Sequence, residues 1–253
     1  MMDAASAGAV ARTTRSEGAP VPPTILFDFD GTLALGDGPI TAFARAIAER
    51  TADASFAARA EAAIAAFAAG TADARDGYDA VTRIARDQGV DAVVIGAAYD
   101  DSRALLGTDE AAVVSPDGLA DFLDTLSGHA RLVLATNAPG DGITELLDTW
   151  GVTERFDAVH FAVGKPAGLV PLIREALATG PLLAVGDIVE NDLAPAAELG
   201  ADTALVGATS ERSSADATMR GHSLADLYDR ILDWARTASS APASSASSST
   251  LQS

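Results

Sequence analysis

The segment Thr24-Ile-Leu-Phe-Asp-Phe-Asp-Gly-Thr32 puts an apolar run directly before two carboxylates spaced two residues apart. The run is too short for a helix and is continuously apolar, the pattern of a parallel strand covered on both faces. An unpaired carboxylate at the end of such a strand is costly to bury, so Asp28 calls for a metal or a reaction partner. Four further runs share the pattern, over 132–136, 158–161, 182–186 and 203–206. With the first, at 24–28, they predict five strands.

Helical segments separate the later runs. Ser115-Pro116 looks like an N-cap followed by a proline at the first helical position, with Gly128 closing that helix. Further helices are expected over 141–150, 167–178 and 192–199, each followed closely by a glycine. Strand–helix alternation with short loops implies a Rossmann-like, doubly wound, mostly parallel sheet, an α/β fold. Between the first two strands the pattern changes. Residues 39–50, 53–69, 78–88 and 92–106 show only helical spacing, alanine-rich and broken at Gly70, Gly77 and Gly89. This predicts a four-helix domain at 36–108, inserted into a core of 23–35 and 109–237. Residues 1–22 and the Ser/Ala-rich 238–253 are expected to be a flexible leader and a disordered tail.

Composition narrows the chemistry. The 253 residues are 48% hydrophobic and 21% charged, ordinary for a globular protein. A net charge of -19 argues against nucleic acid and against anionic membrane surfaces. The chain has no cysteine and only three scattered histidines, which excludes thiolate chemistry and disfavours a His-built metal site. No apolar run approaches the ~20 residues of a membrane span. The first residues do not make a convincing signal peptide, so a cytoplasmic protein is expected. Of 17 basic residues 16 are arginine, and Lys165 is the only lysine.

In doubly wound sheets ligands gather at the carboxyl ends of the strands. Those ends carry Asp28-Phe29-Asp30-Gly31-Thr32, Thr136-Asn137, Gly164-Lys165-Pro166 and Gly186-Asp187 with Asp192 close behind. A calcium loop fails for the first, because Thr32, Leu33 and Pro39 stand where it needs Asp or Asn, Gly and Glu. Asp192 or Asn191 could instead cap a helix, Glu190 could be a solvated loop residue, and Thr136 alone says little. Lys165 suggests a place where a forked guanidinium would not serve.

Taken together, the Asp28-x-Asp30-Gly31-Thr32 and Gly186-Asp187-x4-Asp192 motifs, with Thr136 and Lys165 in order between them, resemble the haloacid dehalogenase superfamily, phosphatase branch. The inserted helices look like that family's cap. The resemblance implies a Mg2+-dependent phosphatase acting on a small phosphorylated metabolite through an aspartyl-phosphate on Asp28. Asp30 would be the general acid and base. Lys165, Thr136 and Asn137 would hold the phosphoryl group. Asp28, the Asp30 carbonyl and Asp187 would bind the metal, with Asp192 a ligand or one step removed. Asp30 argues against a dehalogenase, and an insert without lysine argues against phosphonate cleavage. A sugar-phosphate mutase or phosphotransferase and a non-catalytic scaffold stay as alternatives. Arg45, Tyr78, Arg83 and Tyr99 are insert residues that could face the site, and the oligomeric state is open.

Overall fold

The computed structural model of the chain describes residues 21–240. Most of the expected leader and of the expected tail lie outside them. The first strand, β1 (Thr24–Phe27), leads into four helices: α1 (Gly38–Thr51), α2 (Phe56–Ala68), α3 (Gly77–Asp87) and α4 (Ala92–Ala104). There follow α5 (Leu119–Ser127), β2 (Arg131–Ala135), α6 (Ile143–Thr149), β3 (Ala158–His160), α7 (Leu169–Leu177) and β4 (Leu182–Gly186). A π-helical turn at Val189–Leu193 then precedes α8 (Ala194–Glu198), β5 (Asp202–Leu205), β6 (Met219–Arg220) and α9 (Tyr228–Ser240).

The six strands form one parallel sheet in the order β3-β2-β1-β4-β5-β6. The chain reverses direction across the sheet between β1 and β4, which opens a crevice at their carboxyl ends. The sheet is covered on both faces, as a continuously apolar strand requires. Ile25 and Phe27 pack with Phe122 and Leu126 of α5, Leu147 of α6 and Ile231 of α9. Leu26, pointing the other way, packs with Leu169 and Ile173 of α7 and Ala196 of α8. All of these side chains are nearly or completely buried, each contributing roughly 1.5–3 kcal/mol for a large aliphatic or aromatic group. Helices α1–α4 bury a cluster of their own, centred on Phe43, Ile47, Phe56, Val81 and Ala98.

Four expectations are corrected. The helix expected from Ser115-Pro116 starts only at Leu119, because Gly118 sits at φ +73, outside helical backbone, and the Leu119 N–H closes a turn onto the Pro116 carbonyl. Gly77 does not break a helix but opens α3, where the Asp76 carboxylate accepts from the Asp79 N–H at 2.6 Å. The helix expected from Asp192 starts two residues later, because 189–193 are wound as the π-helical turn. Residues 238–240 belong to α9 rather than to a tail: Ser239 Oγ donates to the His129 carbonyl at 3.0 Å, which docks that end on the core. The sheet also has a strand the sequence pattern did not suggest, the two-residue β6 at its edge. Among the described residues no helix is long and apolar enough to cross a membrane.

Candidate active site

Register assembles the site. Phe27 lies opposite Leu134 of β2 and Val185 of β4. Asp28 is therefore the first residue past the paired strand, its N–H donating to the Val185 carbonyl at 2.9 Å. Beyond it the chain turns sharply, with the Phe29 carbonyl accepting from the N–H groups of Thr32, Leu33 and Ala34. The turn separates the two carboxylates of the opening segment.

Asp28 is 9% exposed and faces Lys165, whose Nζ donates to Asp28 Oδ1 at 2.6 Å and to Asp192 Oδ1 at 2.8 Å. Burial alone would lower the Lys165 pKa, but the two carboxylates more than offset it and hold the ammonium charged. Lys165 arrives on the loop after β3. That loop is pinned by the Val163 N–H on the Thr136 carbonyl (3.0 Å) and by the Lys165 N–H on Asn137 Oδ1 (2.6 Å). Thr136 itself is buried at the end of β2, its hydroxyl accepting from the Ala138 N–H at 3.0 Å. The Asn137 side chain thus positions the lysine loop, a contact the sequence gave no sign of.

Asp187 follows β4. Its carboxylate lies so close to Gly31 that a Cβ there would stand 2.3 Å from Asp187 Oδ2, and Gly31 has φ +78. A Cβ on Gly186 would likewise stand 2.4 Å from Asp192 Cβ. The glycines of both motifs are thus required for the carboxylates to converge. Asp28, Asp187 and Asp192 bring ligand oxygens within 4.8 Å of one another. Burial, with Asp28 and Asp192 adding their charge, pushes Asp187 well above the usual carboxylate range. Burial and the Asp28 charge also push Asp192 up to about 7, opposed by Lys165.

This arrangement fits a divalent cation on three counts. Three carboxyl groups face one ammonium, which balances only one of them when all are ionised. Asp187 Oδ1 is buried without a hydrogen-bond partner, a costly state that a cation would relieve. The donors are all carboxylate oxygens, the ligand type of hard ions. Asp192 is already satisfied, since Oδ1 accepts from Lys165 and Oδ2 from the Ile188 N–H at 3.1 Å. It caps no helix. Glu190 is exposed and outside the cluster.

Asp30 takes a different partner. Its Oδ1 accepts from Arg103 Nη1 at 2.8 Å, with the arginine side chain 1% exposed at the end of α4. Desolvation raises the Asp30 pKa, and Arg103 works against it. Arg103 was not among the residues suggested by the sequence. Of those that were, Tyr78 lines the cavity beside Asp30 and stacks edge-on with Tyr99. Arg83 pairs with Asp79 at 2.8 Å and lines a second cavity. Arg45 is spent on the Glu110 carbonyl, away from the carboxylates.

The fold gathers these strand-end residues at the crossover of a doubly wound sheet, where such sheets bind ligands. Residues 22–200 match the family model of the haloacid dehalogenase-like hydrolases, and the chain belongs to that family. Among solved structures it is similar to a putative hydrolase of this superfamily from Bacillus subtilis bound to magnesium (17% identity, TM-score 0.57, 83% of this chain and 98% of the other). It is also similar to CbbY from Rhodobacter sphaeroides in complex with phosphate (23%, TM-score 0.56, 84% and 99%). A third is L-2-haloacid dehalogenase from Xanthobacter autotrophicus (16%, TM-score 0.50, 83% and 98%). At such identities the likeness extends to the fold alone. A comparison with curated proteins gave no match.

Proposed function

We propose that this hydrolase is a magnesium-dependent phosphatase that cleaves a small phosphorylated metabolite through an aspartyl-phosphate on Asp28. The observation that carries the reading is the division of labour between the first loop's carboxylates. Asp28 sits with Lys165 in the acidic cluster, whereas Asp30 is held apart from it by Arg103. An attacking carboxylate and a separate proton donor are what ester cleavage with a poor leaving group needs. A reaction that expels a halide has no leaving oxygen to protonate.

Asp28 and Asp187 would hold magnesium through their side chains and Asp30 through its carbonyl, while Asp192, whose oxygens already accept hydrogen bonds, would stand outside that set. Bound there, the ion would neutralise charge on the carboxylates and the phosphoryl oxygens. Asp28 attacks phosphorus as the bond to the leaving oxygen breaks, and the Asp30 proton moves to that oxygen. Asp30, now a carboxylate, takes a proton from the water that attacks the aspartyl-phosphate. Phosphate leaves, and both aspartates return to their starting states. Lys165 holds Asp28 in place and shares its charge with the phosphoryl oxygens, while Thr136 and the Asn137 N–H bind the same group.

The test is phosphate release from a panel of phosphomonoesters in magnesium buffer. Wild-type chain is expected to turn over at least one of them, and Asp28→Asn none above background. Equal release by the two would remove Asp28 from the nucleophile role.

A further inference from the structure

The cluster around Asp187 opens into two cavities of opposite character. One runs under α1 and α3 and has apolar walls: Ala34, Leu35, Pro39, Ile40, Phe67 and Val113. The charged side chains on its lining are all aspartates, at positions 30, 37, 76 and 187, and none of the described residues lining it is basic. Tyr78, whose buried hydroxyl lies beside the Arg103 guanidinium, also lines it. The other cavity lies beside Ile188 and Val189 and is polar, carrying Arg75, Arg83 and Arg212 together with the acids Asp73, Asp187 and Glu190. Two of those arginines are already paired with Asp79, and the third donates to the Phe67 carbonyl.

Asp30 decides between them. On the phosphatase reading, the group that protonates the leaving oxygen must stand within hydrogen-bond reach of it. Asp30 lines the apolar cavity and not the arginine-lined one. The body of the leaving alcohol therefore extends into the apolar cavity. Its walls reward apolar surface, and Asp37 and Asp76, the lining aspartates outside the proposed metal and proton-donor roles, disfavour a second anionic group.

Resting on the phosphatase reading of the site, we propose that the substrate is a phosphomonoester of an alcohol with a compact apolar body and no second negative charge. Sugar phosphates, rich in hydroxyls that the apolar walls would strip of water, and phosphorylated carboxylic acids are disfavoured.

Three esters of similarly poor leaving groups make the comparison: benzyl phosphate, glucose 6-phosphate and 3-phosphoglycerate. The expected result is a kcat/KM for benzyl phosphate about tenfold or more above the other two, the scale on which a hydrophobic pocket discriminates. Phe67→Ala, at a half-buried helix position whose ring lies 5.3 Å from the Arg212 guanidinium, is expected to remove most of that preference. Ile40→Val is the milder second variant and should reduce it in part.

Binding of benzylphosphonate and phosphonoacetate to the wild-type chain by calorimetry needs no turnover. Tighter binding of benzylphosphonate, weakened by Phe67→Ala, upholds the pocket assignment even if no ester is hydrolysed and the phosphatase reading falls. A preference for 3-phosphoglycerate or phosphonoacetate that is lost in Arg212→Glu would overturn the proposal and move the leaving group to the arginine-lined cavity. Binding of neither phosphonate would overturn it as well.

Discussion

A single ammonium lies between two carboxylates at 2.6 and 2.8 Å, with only 3% of its side chain exposed. A guanidinium is broader, planar and longer-armed, and cannot replace a compact point charge in that space. Lys165→Arg, although it keeps the charge, is therefore expected to lower kcat by about 10²–10³-fold, the scale seen when one donor to a developing charge is lost. Steady-state kinetics on the preferred ester check it; a wild-type kcat for Lys165→Arg would show that charge alone suffices. This residue was legible in the sequence because it broke a compositional rule, the one lysine among 17 basic residues. Arg103 obeyed the rule and went unseen. It is one arginine among 16, and its partner Asp30 stands 73 positions away, a pairing that no local spacing encodes. Asn137 was seen for its backbone, but its side-chain bond to the Lys165 loop also depends on a long-range approach.

At the level of elements, helix α3 forms part of one wall of the apolar cavity, and its start depends on Asp76. The Asp76 carboxylate accepts the Asp79 N–H at 2.6 Å while lining the cavity. Asp76→Ala removes the cap and should cost about 1 kcal/mol of stability, whereas Asp76→Asn or Asp76→Ser, which still accept, should recover most of it. Urea unfolding of the three variants decides the matter, and equal midpoints would mean that the cap contributes nothing. Strands were more legible than helix boundaries for a physical reason. A buried parallel strand needs an unbroken apolar run, and all five such runs became strands. Helix starts depend on backbone conformation and caps, so the Ser115-Pro116 signature was misleading once Gly118 took a left-handed φ. The edge strand β6 has two residues and no pattern to detect. Helix α9 escaped because its Ser/Ala-rich end resembles a tail, although Ile231 and Ala235 are fully buried and Tyr228 stacks on Phe122 at 4.0 Å.

At the scale of the whole molecule, the carboxylates at the crossover of the sheet link folding to pH and to metal. Asp187 and Asp192 have pKa values raised in the folded chain, Asp192 from 3.8 to about 7. Between those two values the folded state holds protons that the unfolded chain has released, so stability falls as pH rises. For Asp192 the stabilisation from protonation is complete below about pH 4 and is lost as pH passes through 7. Lys165, raised in the folded state, loses its contribution only above its ordinary 10.5, outside this window. Without metal, the chain should therefore be less stable at pH 8 than at pH 5, by on the order of 3 kcal/mol from Asp192. The net charge of -19 adds self-repulsion in the same direction, but that term is shared by the metal-free and metal-loaded forms. On the proposed function magnesium would take the place of protons on the cluster, so saturating magnesium should raise the melting temperature by several degrees at pH 8 and by much less at pH 5. Thermal unfolding at both pH values in ~0.15 M sodium chloride, with EDTA or with magnesium, measures the difference directly. A magnesium effect of equal size at pH 5 and pH 8 would mean that the ion binds away from the buried carboxylates.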